Sequence, residues 1–234
     1  KKYQIVYKDL EKAIHCQKYQ VGDFLPTEQE LVETFKVSRY TIRKALSLLV
    51  EKAVKKIHGA GSQVISQEQV NFPVSDLTSY QELIEQQGLK SQTNIISLDK
   101  IIVDIILSEK TGFSRSQQVW RLIRQRVVDG CASVVDIDYL DARLMPQLNR
   151  GIAENSIYDY LENQLHLSIS HAFKEITIDN TTEQDKILID IGKDHHVVCI
   201  RSKVYLNNGN QFQFTESRHK LEKFKFVDYA KRHH

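Results

Sequence analysis

The chain has 234 residues, 41% hydrophobic and 26% charged, with 9 Gly and 3 Pro. This is the composition of a folding globular protein, not of a disordered or fibrous one, and no run reaches the roughly 18 uninterrupted apolar residues of a membrane span. The formal net charge is +2, yet residues 1–66 carry 12 Lys or Arg against 7 Asp or Glu while the remainder carries 20 against 23, so a basic lobe precedes a slightly acidic one.

Val6, Leu10, Ala13 and Ile14 recur at helical spacing and predict an amphipathic helix from Ile5 to about Gln17. Thr27 followed by Glu30 is a capping box, and Leu31, Val32 and Phe35 give the short helix behind it an apolar stripe. Ser38 is the next cap, ahead of Ile42, Ala45, Leu46, Leu49 and Val50. Two helices joined by so short a turn form a helix-turn-helix pattern. The face opposite the apolar stripe carries Arg39, Tyr40, Arg43, Lys44 and Ser47. A major groove admits a helix whose first residues reach base edges, where Arg can hold guanine with two hydrogen bonds. Val54–Ile57 and Gln63–Ile65 then read as two strands around the turn His58-Gly59-Ala60-Gly61, a basic wing with Lys55 and Lys56 beside the phosphates. A solvated basic face explains any one of these features; it does not explain their combination.

Leu25-Pro26-Thr27-Glu28-Gln29-Glu30-Leu31, Phe35 through Leu46, and His58-Gly59-Ala60-Gly61-Ser62 together resemble the winged-helix domain of GntR-type bacterial regulators. The resemblance implies operator contacts from Ser38, Arg39, Thr41 and Arg43, with His58 and Gly59 at the wing tip. The whole DNA-facing set is then Thr27, Gln29, Ser38, Arg39, Tyr40, Thr41, Arg43, Lys44, His58 and Gly59. Many relatives have Arg where this chain has Gln29, so that contact is read differently here.

Residues 67–74 are polar as far as Phe72 and close at Pro73, which places a linker between a DNA-binding domain, 1–66, and a second domain, 75–234. Ser79 starts a helix, Tyr80 to Gln87, that ends at Gly88. Gln118–Val128 with Ala132–Leu140, and Val197–Leu206 with Gln211–His219, predict two antiparallel hairpins, with helical stretches near 156–166 and 182–189. The expected class is α+β: a winged helix-turn-helix followed by an antiparallel-sheet domain.

This half resembles the UTRA-type effector domain of the HutC branch of GntR regulators, a fold like that of chorismate lyase. Asn71-Phe72-Pro73-Val74-Ser75, Glu154 through Glu162, and the tail from Phe212 to Lys220 are most like the regulators of trehalose operons. The resemblance implies a repressor of a sugar-utilisation operon released by a sugar phosphate, trehalose 6-phosphate in that group. Sensors of N-acetylglucosamine phosphates, which have Glu and Tyr at the positions of Gln213 and His219, are the alternative. It implies an effector site of Thr78, Ser79, Arg124, Arg126, Asp136, Ser156, Tyr158, Gln213 and His219, a homodimer, and a palindromic operator.

The residues support that site independently. Arg124 and Arg126 alternate along one strand and so share a sheet face, where forked donors suit a phosphate dianion. Ser79 and Ser156 open helices, whose starts favour anions. Asp136 and Asp138 can accept hydrogen bonds from sugar hydroxyls. The competing reading is an Arg124–Asp136 ion pair with no ligand, with Tyr158 and Tyr160 in the core and His219 solvated near the tail.

No GxSxG, Walker, HExxH or GxGxxG pattern is present, so neither enzyme, metal nor cofactor is expected. His195-His196 point apart, and His233-His234 sit at the chain end. Cys16, Cys131 and Cys199 are an odd number in unrelated contexts, which argues against disulfides. With no basic-then-apolar leader, a reducing, cytoplasmic location is expected.

Overall fold

The computed structural model describes residues 1–50, 52–66 and 69–232. Glu51 of the basic stretch, Gln67 and Glu68 of the expected linker, and His233-His234 lie outside the described residues. The chain divides into two compact units, the first comprising Lys1–Gln69 with Asp129–Cys131, the second the remainder.

In the first unit, α1 (Lys2–His15), α2 (Glu28–Phe35) and α3 (Arg39–Val50) pack around Val6, Leu10, Ile14, Leu31, Ile42, Ala45 and Leu49, all buried. Both expected caps form. Thr27 Oγ1 accepts from the Glu30 amide at 3.3 Å while a Glu30 carboxylate oxygen accepts from the Thr27 amide at 2.7 Å, and Ser38 Oγ accepts from the Thr41 amide at 3.3 Å. Lys36 ends α2 in the left-handed region, φ 50°, so the chain reverses within three residues. Val50, expected on the apolar stripe, is instead 41% exposed, because it is the last residue of the helix and has turned past the core. The wing is β1 (Val54–Ile57) and β2 (Gly61–Val64), antiparallel with Ile57 opposite Gly61. Gly59 and Gly61 have φ of +77° and +112°, values that an L side chain would strain.

Cys16 and Cys131 are joined by a disulfide within this unit, their Cα atoms 5.3 Å apart, which corrects the expectation of no disulfide. Their sequence separation of 115 made the pair look unrelated; folding alone brings them within bonding range. The bond also removes the cysteine argument for a reducing compartment. Cys199 is free and buried.

The second unit is built on a sheet of order β4-β5-β6-β9-β8-β7. Its elements are β3 (Val70–Asn71), α4 (Tyr80–Gln87), β4 (Ser91–Ile102), α5 (Ile105–Thr111), β5 (Gln118–Val128), β6 (Cys131–Asp141), α6 (Arg150–Ala153), α7 (Ile157–Asp159), a π-helical turn (Tyr160–Gln164), β7 (Ile169–Asn180), α8 (Glu183–Leu188), β8 (His196–Leu206), β9 (Gln211–Lys220) and β10 (Phe224–Lys225). Both expected hairpins are present. The turn between β5 and β6 has φ of 49° at Asp129 and 82° at Gly130, the mirror-image turn that suits twisted strands. β3 pairs in parallel with β10, with Val70 opposite Phe224.

One sheet face is braced by charge. Arg218 binds Asp185 at 2.8 Å and Glu216 at 3.3 Å, and Arg201 binds Asp179 at 2.6 Å. The other face is lined by side chains that meet in a cavity.

Candidate functional site

Two sites arise, one in each unit. On the first, Arg39, Tyr40 and Arg43 project from the start of α3 and are exposed, Tyr40 by 73%. Glu28 of α2 organises the arginines, accepting from Arg43 Nε at 2.9 Å and lying 3.6 Å from Arg39 Nε. These pairs are solvent-exposed and contribute little stability, so they aim the side chains and can exchange for another anion. Ser38 and Thr41 share a hydroxyl–hydroxyl bond of 2.9 Å at the helix start. Gln29 is exposed on α2, and His58 and Gly59 are exposed at the wing turn. Lys44 is exposed as well, and its Nζ lies 4.5 Å from the centre of the Tyr3 ring on α1. Glu28 was the residue sequence reasoning passed over; its signal was the position one turn before the α2 core.

On the second unit a cavity of about 430 Å³ opens against the sheet, a volume within the range of ligand pockets. It brings together all nine expected residues: Thr78 and Ser79 before α4, Arg124 and Arg126 on β5, Asp136 on β6, Ser156 and Tyr158 at α7, and Gln213 and His219 on β9. Asp138, Lys174, Ser202, Thr215 and Ser217 line it as well. Strand register explains the gathering. Asp136 faces Ser217 and Asp138 faces Thr215 across β6 and β9, and Ser202 of β8 lies beyond Thr215.

The arginines are buried and ion-paired, though not as the competing reading had it. Arg124 Nη2 donates to Asp138 at 2.7 Å and Arg126 Nε to Asp136 at 2.8 Å. Arg126 also donates to Thr93 Oγ1 at 2.8 Å and stacks over the Tyr80 ring at 4.2 Å. Burial alone would raise the Asp136 carboxyl, but the charges of Arg126 and Arg124 outweigh it and hold it below the usual carboxylate range. Asp138 accepts further bonds from Gln213 Nε2, at 2.9 Å, and from the Thr215 hydroxyl. Ser217 donates to Asp136 at 2.5 Å. The floor is therefore a fixed lattice of donors and acceptors.

His219 is 3% exposed, not solvated. Its ring meets Phe72 edge-on at 4.2 Å and Phe224 at 5.3 Å, and neither ring nitrogen has a hydrogen-bond partner. Burial lowers its pKa to about 4, so at neutral pH it is an uncharged imidazole with one donor and one acceptor to offer. An unmet buried polar ring at a cavity wall is costly unless something occupies it. Tyr158 is half-buried on Phe212, and burial raises its hydroxyl pKa; Tyr160 is buried in the core.

Comparison with known proteins supplies the context. Residues 2–64 match the model of bacterial regulatory proteins of the gntR family, and residues 86–225 match the UTRA domain. The chain is 38% identical over 232 residues to the HTH-type transcriptional regulator TreR of Bacillus subtilis, covering 99% of this chain and 98% of that one. It is 28% identical to the Mannosyl-D-glycerate transport/metabolism system repressor MngR of Escherichia coli, over 90% of this chain and 88% of that one. The solved effector binding domain of the B. subtilis trehalose repressor superposes with a TM-score of 0.56 at 37% identity, covering 61% of this chain and 99% of that domain.

Proposed function

Because the chain belongs to the GntR family of bacterial regulatory proteins and carries a UTRA domain, we propose that it represses a sugar-utilisation operon, that of trehalose, and leaves its operator when it binds a sugar phosphate, trehalose 6-phosphate. It is a DNA-binding regulator and not an enzyme; its family pairs operator recognition with a small-molecule effector in the second domain. The observation that carries the effector reading is the cavity floor: paired arginines and aspartates, with the unmet imidazole of His219 beside them, offer the alternating donors and acceptors that hydroxyls need. The names of the solved trehalose repressor domain and of the curated mannosyl-D-glycerate system repressor support a saccharide.

The protein works as a homodimer in the cytoplasm, so that two winged helices address the halves of a palindromic operator. No helix among the described residues is long and apolar enough to cross a membrane. Residues 1–66 read DNA, 75–234 hold the effector, and 67–74 connect them. Coupling leaves the effector domain through β3, whose Asn71 exchanges two bonds with Gln87 at the end of α4: the Asn71 amide donates to Gln87 Oε1 at 3.2 Å, and Gln87 Nε2 donates to the Asn71 carbonyl at 2.5 Å. α4 thus has one end at the cavity and the other on the strand that continues the linker.

A thermal-shift panel of sugar phosphates with free sugars as controls tests the effector. A ligand at 100 times its dissociation constant stabilises by about 2.7 kcal/mol. Trehalose 6-phosphate should give the largest shift. A larger one from an N-acetylglucosamine phosphate transfers the reading to that effector, and no shift from any sugar phosphate removes it.

A further inference from the structure

Cys16 caps the end of α1, and Cys131 opens β6. Their disulfide sits where the chain changes units. The strands β5 and β6 run through the second unit, whereas the turn between them, Asp129–Cys131, belongs to the first. Turn and helix are fitted to each other: a Cβ on Gly130, whose φ is +82°, would lie 3.6 Å from Lys12 Cε. The two strands that leave this turn carry Arg124 and Arg126 on β5 and Asp136 and Asp138 on β6. Apart from this turn, the main chain crosses between the units once, from Gln69 to Val70. The bond is approached from one side. Cys131 is fully buried and Cys16 half-buried, so a dissolved thiol meets the Cys16 sulfur first. Burial pushes the pKa of the third cysteine, Cys199, up to about 11, which keeps it an unreactive thiol at neutral pH.

In a cytoplasm kept reducing by small thiols, a disulfide is usually transient and redox-sensing. Resting on the cytoplasmic, operator-binding reading above, we propose that Cys16 and Cys131 are a redox modification site: a reversible clasp that ties the winged helix to the β5–β6 hairpin when closed and frees it when open. The reagent is a small thiol and its own disulfide. To open the clasp, a small thiolate attacks the Cys16 sulfur, the S–S bond breaks, and Cys131 leaves as a thiolate. A second small thiolate then displaces Cys16 from the mixed disulfide and departs as the small disulfide. Two electrons pass from the small thiols to the cysteines, their two protons end on Cys16 and Cys131, and closing is the reverse. The consequence is mechanical. Relative motion of two units joined by a short connection is the default, and a second covalent tie removes much of it. One inserted base pair moves a half-site by about 3.4 Å and rotates it by about 35°. A winged helix held by main chain alone can follow that shift; a clasped one cannot.

Glutathione buffers of graded ratio, read by alkylation and mass spectrometry of the full-length protein, test the chemistry. Cys16 and Cys131 should pass together from disulfide to dithiol as reduced glutathione rises. Operator anisotropy at the two ends of that series, without any sugar phosphate, tests the consequence. One base pair inserted at the operator centre should weaken oxidised wild type by about 10-fold or more and reduced wild type by less than about 3-fold. Cys16→Ser should behave as reduced wild type in both buffers, and Cys16→Ala takes its place should the serine variant melt early. A bond that no glutathione ratio opens, a pair that never closes, or equal spacing dependence in the two redox states overturns the clasp. No operator binding in either state, with the glutathione titration still reversible, removes the functional reading and the restraint with it.

Discussion

Arg124 shows how the same residue can be read as a ligand clamp or as framework. Its partner Asp138 is buried, so deleting the guanidinium alone leaves a carboxylate with no counter-ion. Arg124→Met should therefore destabilise the protein by about 3–5 kcal/mol in urea unfolding, and adding Asp138→Leu should restore much of that loss. An Arg124→Met variant of wild-type stability would show that the pair is not buried in solution. Arg43 differs because it is exposed: Arg43→Ala should cost about 1–3 kcal/mol of sequence-selective operator affinity and leave effector affinity unchanged. His219 gives the pH signature. Its folded pKa of about 4 lies below the ordinary 6.5, so the unfolded chain binds more protons between those values and stability falls as pH drops through that window. The loss from this residue reaches roughly 3 kcal/mol at the acid end. Comparing melting of wild type with His219→Gln from pH 7 to pH 4 should show the steeper fall in wild type; parallel curves would mean that the ring is hydrated or paired.

At the level of elements, legibility followed local signals. α2, α3 and α4 could be read because each has a cap whose side chain closes the first turn and a short apolar stripe behind it. The two hairpins were readable because Asp-Gly and Asn-Gly turns punctuate β-branched runs. β4 and β7 gave no such signal. Both are edge strands, half-exposed on each face, so polar residues interrupt the alternation that burial would impose. The expected helix over 156–166 is in fact a single α turn followed by a π-helical turn, a break set by packing of Tyr160 and Leu161 and invisible to a 3.6-residue period. Lys174 escaped notice for the same reason as its strand, whereas the nine expected cavity residues lie on elements with clear signals or were carried by the family likeness. α4 also supplies the element-scale prediction: Gln87→Ala, which removes both bonds to Asn71, should leave effector affinity near wild type while reducing effector-driven operator release. Full release by this variant would show that coupling takes another route.

Across the whole molecule, the account is thermodynamic linkage between two sites on one chain. A coupling of about 1–3 kcal/mol changes operator affinity by roughly 5- to 150-fold, and operator DNA must weaken effector binding by the same factor. The phosphate contacts proposed for Lys55, Lys56 and the α3 arginines would make the DNA side salt-dependent, so both arms belong at one ionic strength. Fluorescence anisotropy of a labelled palindromic operator, titrated with the protein with and without saturating trehalose 6-phosphate, is the most direct measurement. Tight binding without the sugar phosphate and at least 5-fold weaker binding with it is the expected result; identical isotherms, or no operator binding in either, would contradict the account.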